Sequence, residues 1–389
     1  MKITDVTLTL FAWDDIPATG YGQHTGQFQG SSELGLLRIA TDEGIEGHAF
    51  LGTAMNGAAN DGQALIAKLK PLVMGEDPRR PEHIWDKVFH GTYMHGRKGM
   101  VVSCLSGIDI ACWDIMGKAA GQPLWRLLGG YGRPVTAYHS SGYYRRGDTP
   151  EIFAARVSES RRLGYRGYKM KIGNIPQVNH HEERPYTVSF DEDLARIAAA
   201  REAIGADRNL MVDANCALNP RVAMRYAEKL EPLEIRWFEE PVAPENVAGC
   251  AELAGRTRIA IAGFESETTA MTFARLMDAG AIQIAQPDVV QVGGLTEFRK
   301  IAAYAGLRNL HVTGKNYSTA VGQAATLAMI YAVPHGDYFE DEADPLPWRN
   351  EIAARPYLTL EDGLAAPTDE PGLGLTIDET KLKPWLVTP

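Results

Sequence analysis

Cysteine is scarce in this sequence: 389 residues contain four, Cys104, Cys112, Cys216 and Cys250, and no pair has CxxC spacing. So small a number argues against a disulfide scaffold and reads as packing thiols in a reducing compartment. Positive charge is short as well. A net charge of −10 and a pI near 5.5 leave no broad basic face, so nucleic acid is not an expected partner. No apolar run reaches membrane-spanning length, and the amino end, MKITDVTLTLF, alternates like a strand without the apolar block and cleavage site of a signal peptide. A soluble, cytoplasmic protein without a membrane partner is expected. In LHVTGKN, residues 310–316, a phosphate loop is also missing: it needs a glycine five residues before its Gly-Lys pair and a hydroxyl after it, where Asn309 and Asn316 stand. Lys315 needs another explanation. With 45 % hydrophobic and 23 % charged residues, the chain has the composition of a globular enzyme with a large core and more than one domain.

From residue 135 onward, short apolar runs alternate with amphipathic helical stretches, as a parallel sheet with crossover helices requires. Eight strands are expected, at 135–141, 167–173, 209–215, 235–241, 258–266, 281–288, 309–315 and 337–342. The fold class is therefore α/β, a (β/α)7β TIM-like barrel over residues 131–349. Residues 1–130 read differently, as a strand meander followed by helices around 61–73, 80–91 and 97–119, an α+β capping domain. The Gly/Pro-rich stretch 121–134 is a hinge into the barrel, and the tail, 350–389, is an extended piece expected to pack back on the capping domain.

Polar residues close five consecutive strands. Asp213, Glu239, Glu265, Asp288 and Lys315 recur 26, 26, 23 and 27 residues apart, one strand-helix unit each time. Residues at that end of a barrel gather where the catalytic groups of this architecture sit. Asp213, Glu239 and Glu265 would repel one another unless a hard cation such as Mg²⁺ took them as oxygen ligands. Glu240 and Glu267 point elsewhere by strand alternation. Lys169 and Lys171, two apart in KMKIG, share a face, and mutual repulsion beside a cation can leave one of them neutral, a base. A substrate carboxylate on the metal, a proton removed from the carbon α to it and an enediolate stabilised by the metal form one consistent chemistry.

In order along the chain, LSGIDIACWDIMGKAAGQPLWRLLGG, KMKIG, VDAN, WFEEP, GFES, QPDVVQVGG and PGLGL resemble the enolase superfamily, within it the mandelate racemase subgroup of acid-sugar dehydratases and racemases. The resemblance implies Asp213, Glu239 and Glu265 as Mg²⁺ ligands, Lys171 as the strand-two acid/base, Lys169 at the substrate carboxylate and Asn215 at substrate or metal. It also implies Asp288 orienting a histidine at the end of strand seven; Lys315 stands in that histidine's place, a departure, and pairing with Asp288 would keep it protonated as an acid. His311 lies too deep to substitute. The expected activity is dehydration of an acid sugar to a 2-keto-3-deoxy acid; the alternatives are racemisation or epimerisation, lactone cycloisomerisation, a glycoside hydrolase, and a silent sugar-acid-binding barrel. Residues 21–32 read as a lid or a plain loop. His48 is a candidate for substrate contact or a structural histidine. Glu340 closes strand eight as a substrate candidate, with Asp341 and Glu342 equally placed. The insertion 174–190, carrying His180 and His181, is expected to shape the pocket or a subunit contact, not to bind metal. A homo-oligomer is expected.

Overall fold

The computed structural model describes residues 1–20, 27–52, 58, 60–145, 147–175, 187–342, 348–349 and 351–387. Strands β1 (Ile3–Gly20), β2 (Gln27–Thr41) and β3 (Glu46–Leu51) form an antiparallel sheet in chain order. Two helices, α1 (Asn60–Val73) and α3 (Met100–Ala120), pack on it, and α2 (Pro81–Gly91) packs on those helices. Gly47 explains how closely β3 approaches α3: a Cβ there would lie 2.1 Å from the carbonyl oxygen of Ala111. Most of α3 is buried. Its length and composition would suffice to cross a bilayer, contrary to the expectation drawn from apolar runs, but its other face packs on the barrel. The stretch expected to be a plain hinge contains a short helix, α4 (Leu124–Leu127), pinned by the Leu124 N–H donating to the Gly372 carbonyl at 2.9 Å.

The barrel strands are β4 (Val135–Ser141), β5 (Gly167–Lys171), β6 (Asn209–Asp213), β7 (Ile235–Glu239), β8 (Ala260–Gly263), β9 (Ile284–Ala285), β10 (His311–Gly314) and β11 (Gly336–Glu342). Each pairs in parallel with the next, and β11 pairs with β4, which closes the barrel. The crossover helices are α5 (Pro150–Arg162), α6 (Phe190–Ile204), α7 (Pro220–Leu230), α8 (Val247–Arg256), α9 (Ala270–Asp278), α10 (Gly294–Leu307) and α11 (Ala320–Tyr331). Several begin on legible signals. Thr149 and Asn219 cap α5 and α7 ahead of a proline, and Ser189 with Glu192 forms a capping box on α6, satisfying amides that the first turn leaves unbonded.

Inside the barrel, Tyr138, Met211, Trp237, Ala262 and Ile284 form an apolar plug. This floor closes the base and leaves the polar groups to the opposite end of the barrel. The tail divides: β12 (Leu358–Glu361) and β13 (Leu364–Pro367) form a hairpin whose second strand pairs with the start of β4, joining the barrel. Only the later part returns to the capping domain, where the Leu373 N–H donates to Asp114, Glu379 in the last helix, α12 (Glu379–Leu382), pairs with Arg38, and Trp385 packs on Trp13.

Candidate active site

Register assembles the site. Lys171 of β5 is aligned with Asp213 of β6, which is aligned with Glu239 of β7, so three functional groups form one row across adjacent strand ends. Lys169 is aligned with Met211 of the apolar plug, which places its side chain inside the barrel. Glu265 follows the end of β8, and its N–H donates to the Glu240 carboxylate at 2.8 Å. Lys315 follows β10, bridged to the backbone of Asp288.

The lysines lie among the acids. Lys169 Nζ is 2.5 Å from Glu239 Oε1, 2.7 Å from Glu340 Oε1 and 3.7 Å from Asp213. Lys171 donates to Asp213 Oδ2. Lys315 Nζ is 2.7 Å from Glu265 Oε2 and 3.7 Å from Glu340 Oε1. Burial alone would push the Lys169 ammonium toward neutrality, but Glu239, Glu340 and Asp213 outweigh it and hold it well above its ordinary range. Burial opposes the charge of Lys315 too, and Glu265 and Glu340 prevail. Asp213 feels the reverse: burial raises its pKa, while Lys171, Lys169 and Lys315 bring it down to about 2. Asn215 adopts φ +44°, donates its N–H to Asp213 Oδ1 at 2.8 Å, and keeps its side-chain oxygen buried without a hydrogen-bond partner. Such backbone conformations persist where the surroundings enforce them, commonly at functional sites.

Several expectations need correction. Asp288 does not pair with Lys315; its carboxylate accepts from the Val290 N–H at 3.0 Å and Gln291 Nε2 at 3.2 Å, and burial raises it to about 7. The charge on Lys315 is held by Glu265 and Glu340 instead. His48 is not with the cluster. It sits on β3 against α3, 3.9 Å from both Asp114 and Glu46, where burial, Lys118 and Arg38 lower its pKa to about 3. Lysine-lysine repulsion is not the leading force on this pair, since each ammonium meets a carboxylate. Glu240 stays close to Glu265, Asp213 and Glu239: its φ of +41° breaks strand alternation, and burial together with those three carboxylates raises its pKa. Glu267 is ion-paired with Lys98 at 2.8 Å.

The strand-eight ambiguity resolves by contact. Glu340 is buried between Lys169 and Lys315 and accepts the Asn316 N–H at 2.9 Å; Asp341 accepts from Tyr165, and Glu342 from Tyr143 at 2.5 Å. His311 is exposed at the start of β10, paired with Asp337. His180 and His181 of the insertion, and residues 21–26 of the expected lid, lie outside the described residues.

Residues that pattern reading missed hold the acids in place. Trp237 Nε1 and Gln286 Nε2 both donate to Glu239 Oε2 at 2.9 Å, and Asn316 Nδ2 donates to the Glu340 carbonyl at 3.0 Å. Gln286 was within reach of the same argument that picked out Asp288, since the two are two apart near one strand end.

Residues 153–381 match the family model for the enolase C-terminal domain-like fold, and residues 23–129 match that for the mandelate racemase/muconate lactonizing enzyme N-terminal domain. The chain belongs to the enolase superfamily. Among the superfamily relatives it resembles are an arabinonate dehydratase of Saccharolobus solfataricus, 32 % identical with 90 % of each chain covered, and a D-galactarolactone cycloisomerase of Agrobacterium fabrum, 31 % identical with 89 % of each covered. A racemase from Streptomyces coelicolor, solved with bound magnesium, superposes with a TM-score of 0.86 at 30 % identity over 99 % of this chain and all of that one. This superfamily member is an enzyme.

Membership implies a divalent metal. Among the described residues, no three acid, histidine or cysteine side chains form a closed cage, and Asp213, Glu239 and Glu265 are turned toward lysines. The donors fit nonetheless. Asp213, Glu239, Glu240, Glu265, Asp288 and Glu340 place six carboxylates at the mouth against Lys169, Lys171 and Lys315, and Asn215 adds a buried oxygen without a donor. An oxygen-only set with excess negative charge suits a hard divalent cation.

Proposed function

We propose that this enzyme is a Mg²⁺-dependent hydro-lyase that dehydrates an acid sugar to a 2-keto-3-deoxy acid. Asp213, Glu239 and Glu265 would hold the cation, which when bound supplies Lewis acidity toward the substrate carboxylate. Lys169, kept charged by its acidic neighbours, binds that carboxylate. Lys171, on the same face of β5 as Lys169 and in register with Asp213, acts as the base in its free-amine form. Lys171 Nζ then takes the α-proton, and the C–H electron pair forms the carbon-carbon double bond. Lys315 delivers its proton to the β-hydroxyl as the C–O bond breaks; water leaves and the enol becomes the ketone.

The observation that carries this reading is the placement of the two lysines on strands that are not neighbours: Lys171 of β5 against Asp213, Lys315 after β10 against Glu265 and near Glu340. The names of the relatives, dehydratase and cycloisomerase, support the same chemistry and keep an isomerase as the second reading, in which Lys315 returns a proton to carbon. The test incubates the enzyme and Mg²⁺ with sugar mono- and diacids, detecting 2-keto products and α-proton exchange in D2O. Lys171→Ala abolishes exchange; Lys315→Ala retains exchange and loses product. Exchange that survives Lys171→Ala overturns the assignment.

A further inference from the structure

We infer that Asp193, on the first turn of α6, is a positioning residue for Lys171. The inference rests on Lys171 as the base. No exposed surface reaches Asp193, and it is outside the acid-lysine cluster, yet its carboxylate collects donors from four parts of the chain. Tyr144 Oη donates at 3.0 Å, Tyr226 Oη at 2.9 Å, the Gly173 N–H at 2.8 Å and Arg196 Nη1 at 2.8 Å. A buried carboxylate so fully bonded is stable only with every donor in place.

Those donors lie where the base is set. Gly173 is two residues beyond Lys171, at φ +86°, and its N–H fixes the direction in which the chain leaves β5. Asn174 donates its N–H to Tyr144 Oη at 3.2 Å, so the same carboxylate holds the next residue through the tyrosine. Arg196 Nη2 donates to the Gly142 carbonyl at 3.0 Å, tying in the end of β4, where the Tyr143 ring lies 5.8 Å from Lys171 Nζ. One carboxylate thus sets both the backbone that carries the base and the aromatic face beside it. Burial and Asp193 together push the Tyr144 and Tyr226 hydroxyls up, which keeps them donors. A misplacement of about 1 Å in a catalytic group costs on the order of 100-fold in rate.

The experiment compares wild type, Asp193→Asn, Lys171→Arg and Asp191→Asn, each with Mg²⁺ and with lysines carrying ¹³C at Cε. The signal absent from Lys171→Arg belongs to Lys171. In Asp193→Asn that signal moves, while those of Lys169 and Lys315 hold; Asp191→Asn, an exposed acid on the same helix turn, matches wild type. On the sugar acid that exchanges its α-proton fastest, kcat falls at least tenfold in Asp193→Asn with KM within twofold. If Asp193→Asn does not fold, Tyr226→Phe removes one donor and gives the same changes in smaller measure. A Lys171 signal unmoved in a folded variant overturns the inference, as does an unchanged kcat. The lysine signal needs no substrate and decides by itself. Exchange that survives Lys171→Ala condemns the base assignment, whereas a dead Lys171→Ala beside a fully active Asp193→Asn condemns only the role of Asp193.

Discussion

Glu239 shows how much a single side chain at the barrel mouth depends on its neighbours. One of its oxygens meets Lys169 at 2.5 Å; the other accepts from Trp237 and Gln286, both at 2.9 Å. Burial raises its pKa to about 7 against the opposing pull of Lys169, and the two neutral donors aim the carboxylate. Outer groups of this kind commonly change metal affinity or activity by about 10- to 100-fold when removed. Gln286→Ala is therefore expected to weaken Mg²⁺ binding by about that factor, read by calorimetric titration of the folded variant. An unaltered affinity would mean that Glu239 is aimed by Trp237 alone, or is not a ligand.

At the scale of elements, β3 and α3 are pressed together at Gly47, and His48 is trapped in that seam among Arg38 of β2, Glu46 of β3, and Asp114 and Lys118 of α3. Burial leads, and the two cations add to it against the two carboxylates. The folded pKa near 3 lies below the ordinary value of 6.5, so between those limits the unfolded chain binds a proton that the folded chain refuses. Stability from this group is complete above about pH 6.5 and is lost as pH falls, by up to about 1.4 kcal/mol per unit. His48→Gln removes that slope: chemical unfolding at pH 7 and pH 5 should show a smaller loss on acidification in the variant. An equal loss in both proteins would place the histidine's proton elsewhere.

For the whole molecule, the cluster of acids is a store of repulsion that folding tolerates through lysines and that a cation relieves further. A cation bound only by the folded state adds stability by mass action, about 2.7 kcal/mol at a concentration one hundred times its Kd. Melting should therefore rise with Mg²⁺ and return with a chelator. A melting curve indifferent to both would remove the metal from the proposal. The closed barrel is what allows this concentration of charge: the plug of Tyr138, Met211, Trp237, Ala262 and Ile284 seals one end, and every polar strand end is delivered to the other.

Which acids and lysines close the strands could be read from the chain alone, because each apolar run ends on a charged residue and the interval between them repeats. Asp213, Glu239, Glu265 and Lys315 are legible for that reason, Lys169 and Lys171 because a spacing of two puts them on one strand face, and the barrel and its cap from the change of pattern near residue 135. Pairing was not. Lys315 aligns with Asp288 along the backbone yet turns to Glu265 and Glu340; His48, a candidate substrate contact by sequence, packs against α3 in space; the tail splits between two domains; Asp193, an unremarkable helix residue in one dimension, gathers four donors in three. Local periodicity depends on neighbours a few residues apart and is written in order along the chain. Which carboxylate an ammonium faces depends on distances between strand ends that are many residues apart, and only closure of the barrel sets those.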